Sequence, residues 1–244
     1  LRATLEPAFV LHSKPYRETS LYVHFFTQNY GRVTAIARSA RGLRSRFKGC
    51  LVPFSRLLIG FNGKADLMQV NTIEPAGTTY FLTGEKLFNG LYLNELLLKL
   101  TERIDPYAKL FDCYQTALQQ LHDGKLQDQI ILRAFEKKLL TELGYGLQLT
   151  YEVNGFKVLP DQYYSYQSDR GLESCEQNAR SDHIFLGKHL LAIENEDFQS
   201  PIILKDAKRL LRLAINPLLG QPLKTRELYL PSPYPLPQAG EGMK

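Results

Sequence analysis

The sequence predicts an α+β protein: a five-stranded β-barrel of the oligonucleotide-binding type over residues 1–80, then an all-helical domain over 81–230 carrying a small irregular insertion at about 151–183. Two observations carry that reading. Apolar residues alternate with a period of two up to about Thr83, and afterwards they return every three to four positions. A third observation organises the rest. Residues 38–48 hold Arg38, Arg41, Arg44, Arg46 and Lys48 without a single acid, between segments that read as strands.

The elements follow in chain order. Residues 8–11 (AFVL) are a short apolar strand, and 21–26 (LYVHFF) is a second, rich in aromatic and β-branched side chains. Asn29-Tyr30-Gly31 reads as its turn, and residues 32–37 alternate again. After the basic loop, 51–61 is extended; Asn62-Gly63 signals a hairpin that returns through 64–70. An SH3-type barrel has a similar strand count, and the pattern does not separate the two.

Residues 85–100 repeat apolar side chains at helical spacing, with Phe88, Leu91, Tyr92 and Leu98 among them. Asp105-Pro106 looks like a helix start, the aspartate as cap and the proline in the first turn. The stripe Leu110, Phe111, Tyr114, Leu118 and Leu121 follows. Residues 128–143 make a third helix, stopped at Gly144. Residues 151–180 are polar and spotted with aromatics, a loop or a small β insertion. Pro201 introduces a clear amphipathic helix over 202–215, and the tail at 231–244 is proline-rich.

Composition limits the chemistry. The net charge is +5, from 30 Lys and Arg against 25 acids, so the placement of charge says more than its amount. Cys50, Cys113 and Cys175 stand far apart and form no CxxC pair, which argues for a reducing compartment. No apolar run approaches the roughly 20 residues of a membrane span, and no leader is evident. The phosphate-loop, dinucleotide, GxSxG and HExxH signatures are all missing. Asp182-His183 has no nucleophile beside it and reads as a surface pair. Glu95 and Glu136 lie on helix faces that pack, where a paired structural carboxylate is the simpler account.

The cationic loop can be a solvated loop and nothing more. Its functional reading is a phosphate-contacting surface, extended by Arg32 and flanked by the rings of Tyr22, Phe26, Tyr30 and Phe47. A second basic set, Lys208, Arg209, Arg212, Lys224 and Arg226, is either an ordinary charged helix face or a continuation of the same DNA-binding surface.

Taken together, AFVLHSKPYRETS, the loop ending FKG, GLYLNELL, RAFEKKLLTELGYG and AKRLLRLAINPLLGQPLKTRELY resemble, in that order, the RecO family of DNA repair and recombination mediators. The resemblance implies a non-enzymatic, cytoplasmic, nucleoid-associated bacterial protein that binds single- and double-stranded DNA and anneals complementary strands. It also implies partners: RecR, in many bacteria RecF, and the carboxyl-terminal tail of single-strand binding protein (SSB). Arg133 matches a basic position implicated in holding that tail. Many family members bind zinc through four cysteines, but residues 144–189 contain only Cys175. The chain is therefore similar to the zinc-free branch, and no metal or cofactor is expected. Two other classes remain to be weighed: an adaptor for acidic protein tails with incidental DNA binding, and a DNA hydrolase.

Overall fold

A computed structural model describes residues 1–42, 45, 47, 49–64, 67–176 and 182–227. Arg44, Arg46, Lys48 and the 231–244 tail lie outside the described residues.

The chain begins with β1 (Arg2–Tyr16), β2 (Ser20–Thr27), β3 (Gly31–Ala37), β4 (Ser55–Lys64) and β5 (Leu67–Thr79), which close in the order β1-β2-β3-β5-β4. Alternation builds the interior. Val23 and Phe25 of β2, Val33 and Ala35 of β3, and Leu57, Ile59 and Phe61 of β4 pack inward as one apolar cluster. The opposite faces of β1 and β2 present Phe9, Leu11 and Phe26 to the helices, within a second and larger cluster.

One irregularity in β1 decides what lies beyond them. The pairing shifts between Val10 and His12, so Leu11 is an extra residue opposite no partner on β2. The Leu11 carbonyl that the bulge exposes accepts a hydrogen bond from Asn94 Nδ2 at 2.8 Å, and Tyr114 Oη donates to Asn94 Oδ1. Because of the bulge, His12 stands opposite His24 on the outer face. Gly31 is required at the β2–β3 turn. Its φ is +60°, and a Cβ there would meet the Asp105 carbonyl oxygen at 1.7 Å.

The helical part comprises α1 (Glu85–Leu100), α2 (Ala108–Asp123), α3 (Asp128–Glu142), α4 (Gly187–Glu194), α5 (Pro201–Ile215) and the one-turn α6 (Lys224–Glu227). Gly144 stops α3 as expected, at φ +84°, while the Tyr145 amide donates to the Leu140 carbonyl. On α5, Leu204, Ala207, Leu211 and Ile215 are buried, the stripe that the sequence predicts.

The fold class expected from the sequence does not stand as drawn. The first sheet is not a set of short strands: β1 runs for 15 residues and β5 for 13. Closure between β3 and β5 rests on two described residue pairs, Ala35↔Met68 and Ile36↔Gln69. Pro15 reads as a break in the sequence, yet it holds a place in the pairing, as do Pro7 and Pro75. Nor is the second part all-helical with an irregular insertion. β6 (Tyr163–Gln167), β7 (Gly171–Cys175) and β8 (Ile184–Leu186) form a three-stranded antiparallel sheet with β6 in the centre. Tyr164 and Tyr166 supply its buried face, so the aromatic spotting was a strand period.

Two smaller expectations change as well. Asn62 and Gly63 are paired strand residues opposite Gln69 and Met68, and the pairing continues to Lys64↔Leu67, so Asn62-Gly63 is not the turn. Helix α2 begins at Ala108, after Asp105-Pro106, because the Asp105 backbone is packed against Gly31.

Candidate nucleic-acid and peptide interfaces

The expected DNA-contacting cations fall in three places. Arg32, at the start of β3, is half-buried, and its Nε and Nη2 donate to the Thr101 carbonyl at 3.2 and 3.0 Å. Burial, and then Arg103, lower its guanidinium from the ordinary value. It stitches the barrel to the end of α1 and keeps only part of its donor set for a ligand. Arg38 and Arg41 lie at the other end of β3, about 20 Å away by strand rise. Both are exposed, and Arg41 is tied to the β1–β2 turn through its amide on the Thr19 carbonyl, 2.8 Å.

The late basic set divides. Arg209 is occupied: it donates to the Ile184 carbonyl at 2.5 Å, pairs with Asp206 at 3.1 Å, and lies 4.2 Å over the Phe185 ring. Asp206 also holds His189 at 2.7 Å. Lys224 is exposed. Lys208, Arg212 and Arg226 line a cavity of about 260 Å³ with Arg133, Leu132, Tyr92 and Gln129.

That cavity is built from four helices, α1, α3, α5 and α6. Arg133 and Glu136 sit one turn apart on α3, 3% and 1% exposed, joined by Nη2 to Oε1 at 2.6 Å. Tyr92 Oη of α1 donates to the same Oε1 at 2.5 Å. Burial, followed by the Glu136 charge, pushes the Tyr92 phenol well up, so it stays a proton donor. The Nε and Nη1 of Arg133 and the Oε2 of Glu136 have no hydrogen-bond partner among the described residues. Buried donors left unpaired are costly, and an anion entering the cavity would relieve that cost.

Lys208 and Arg212 enter from α5. Desolvation and mutual repulsion lower both from their ordinary values: Arg212 and Arg133 act on Lys208, Arg226 and Arg133 on Arg212. Arg226 arrives on α6, which Glu95 of α1 holds in place. Glu95 accepts from the Lys224 amide at 2.9 Å and from the Thr225 amide and hydroxyl at 2.9 and 2.7 Å. Burial raises this carboxyl, but the Thr225 bonds outweigh it, and Glu95 lies below its usual range. Glu95 and Glu136 are thus the paired structural carboxylates that the sequence suggested. A wider recess of about 630 Å³ adjoins the cavity, sharing Arg212 and Arg226 and continuing over Pro222 and Leu223.

Sequence reasoning found Arg133 by resemblance, and it placed Lys208, Arg212 and Arg226 on a DNA surface. It did not foresee that these four side chains share one cavity. The available signal was Arg133 and Glu136 spaced i,i+3 alongside the apolar stripe of Leu132, Phe135 and Leu139, an unusual place for two charges. Among the described residues no cluster of three His, Cys, Asp or Glu side chains could hold a metal ion, and no helix is long and apolar enough to cross a membrane. Asp182 and His183 are both exposed.

Two family models match the chain: "Recombination protein O N terminal" over residues 2–79 and "Recombination protein O C terminal" over 82–227. The chain is 51% identical over 229 residues to the DNA repair protein RecO of Coxiella burnetii (strain RSA 493 / Nine Mile phase I), covering 93% of this chain and 98% of the relative. It is 40% identical over 225 residues to the DNA repair protein RecO of Yersinia enterocolitica, covering 91% and 92%, and 41% identical over 225 residues to that of Proteus mirabilis, covering 91% and 90%. With both halves matched and these identities spanning nearly the whole length, the chain belongs to the RecO family.

Proposed function

We propose how this chain performs the work of its family, that of a non-enzymatic, DNA-binding recombination mediator: with one surface for DNA and one pocket for a protein tail. The barrel end bearing Arg38 and Arg41 contacts phosphates, extended by Arg44, Arg46 and Lys48. Screening of phosphate repulsion there lets two complementary strands approach and anneal. The Arg133 cavity receives the carboxyl terminus of SSB. Unpaired guanidinium nitrogens face a terminal carboxylate, Leu132 and the Tyr92 ring line the apolar part, and the adjoining recess takes the preceding residues. Contact with SSB brings the mediator to coated strands, where it works with RecR and helps load the recombinase in the bacterial cytoplasm.

The observation that carries the tail reading is the buried, incompletely paired Arg133 beneath three further cations. The test is annealing of complementary oligonucleotides precoated with SSB, intact or lacking its terminal residues. Annealing should require both the protein and the intact tail. Equal annealing with either form of SSB would remove the pocket from the mechanism and leave the DNA surface.

A further inference from the structure

The outer face of β1 and β2 changes character along its length. Its first half, Phe9, Leu11 and Phe26, lies under the helices. Beyond the bulge the same face stays open and carries rings. His12 and His24 are stacked with centroids 6.3 Å apart, Tyr22 meets His24 edge-on at 5.2 Å, and Tyr16 lies 6.3 Å from Tyr22. His12 and His24 are directly opposed, Tyr16 and Tyr22 are diagonal cross-strand neighbours, and Tyr22 and His24 follow one another on the same face of β2. Aromatic pairs do stabilise sheets, but the cations here exceed what packing requires. Lys14 Nζ stands 4.9 Å from the Tyr22 centroid, and Arg17 Cζ 5.4 Å from that of Tyr16.

The surroundings are mainly positive, with Glu102 an opposing charge on Arg32. The outward positions of β1, β2 and β3 on this face carry no carboxylate beyond the bulge, and Glu18 sits off the strands in the turn. At one end, Arg41 Nη1 donates to the Arg17 carbonyl at 3.4 Å, which sets Arg41 beside the β1–β2 turn. At the other end stand Arg32 and Arg103. His24 takes no part in the positive charge: burial, then Arg32, His12, Lys14 and Arg103, lower it to about 4, and its Nδ1 bonds Thr34 Oγ1 at 3.1 Å. A neutral imidazole offers a flat face at physiological pH.

We propose that the rings of Tyr16, Tyr22, His24 and His12 form a base-stacking strip for single-stranded nucleic acid, with Lys14 and Arg17 holding the adjacent phosphates. This rests on the DNA-binding reading above and adds a strand preference to it. Four residue steps of β1 separate the ends, about 13 Å, room for about four stacked bases at about 3.4 Å each. Unpaired bases have exposed faces to stack, whereas duplex hides them, so rings discriminate where cations do not.

The test uses the full chain with a fluorescent oligo(dT) and a hairpin duplex, read by anisotropy. Y16L/Y22L should weaken oligo(dT) binding about tenfold, leave duplex affinity within twofold, and keep the salt slope of the parent. Y22F keeps a ring and should bind as the parent does, which separates stacking from misfolding. Unchanged oligo(dT) affinity in Y16L/Y22L overturns the strip, as does an equal loss on both probes. If the parent protein binds neither probe, the DNA reading itself falls, and the strip with it.

Discussion

The barrel end around Arg38 and the cavity around Arg133 both use arginine, and they differ in almost every other respect. Arg38 and Arg41 stand in water, where a charge is cheap to hold and acts weakly at long range. Arg133 is buried against one carboxylate, with Lys208, Arg212 and Arg226 crowding the same space. Exposed cations suit a polyanion of any sequence, whereas crowded, desolvated ones suit a single small anion in one pose. On the proposed reading, the contrast lets one protein accept any strand and still select one partner.

The largest expected effect comes from breaking the buried pair. Arg133→Ala strands Glu136 with only Tyr92 as donor and should lower stability by about 3–5 kcal/mol in urea unfolding. R133M/E136Q removes both charges and should recover most of that loss while still failing to bind a tail peptide. Stability loss and binding loss would then be separated. Next, Lys208→Ala or Arg226→Ala leaves the Arg133–Glu136 pair intact. Each should weaken a tail peptide about tenfold by titration calorimetry, with unfolding midpoints nearly unchanged. If duplex DNA affinity falls by the same factor, the two surfaces are not distinct.

A smaller effect is expected at the exposed end. R38A/R41A should weaken DNA binding for every sequence alike and reduce the salt slope on single strands by about 1.4, about 0.7 for each phosphate left without its arginine. Tail-peptide affinity should not move. The smallest effect concerns pH. His24 titrates near 4 in the folded chain and near 6.5 when unfolded, so the unfolded state binds more protons between those values. Stability should therefore fall as pH drops from about 6.5 towards 4. His24→Gln should flatten that part of the curve measured by thermal melting. Glu95 loses stability in the same direction at lower pH, which is why the variant comparison is needed.

The helices and the inward faces of the strands were legible because each is governed by local period. Leu204, Ala207, Leu211 and Ile215 predict their own burial, as the alternation in β3 does for Val33 and Ala35. The ends of β1 and the sheet around β6 were not. Pro15 looks like a break until a partner strand is known to leave its missing amide unneeded. At the candidate site, Arg133 could be named alone. Its companions lie 75 and 93 positions downstream, at Lys208 and Arg226, and only the packing of α1, α3, α5 and α6 brings them together. Arg209 shows the converse: it shares a helix with Lys208 and Arg212, yet its charge is absorbed by Asp206 and the Ile184 carbonyl.

The bulge at Leu11 reaches further than its single extra residue. Its carbonyl is held by Asn94, a side chain that the chain reaches 83 positions later. A fragment ending at residue 80 would lack that clamp and would expose Phe9, Leu11 and Phe26 to water. Its first strand could then slip by one place, turning His12, Lys14 and Tyr16 into the barrel and Ser13 and Pro15 outward. The helices thus keep the barrel in register. Exchanging the front half between relatives should succeed only when the residues at positions 11, 94 and 114 travel together.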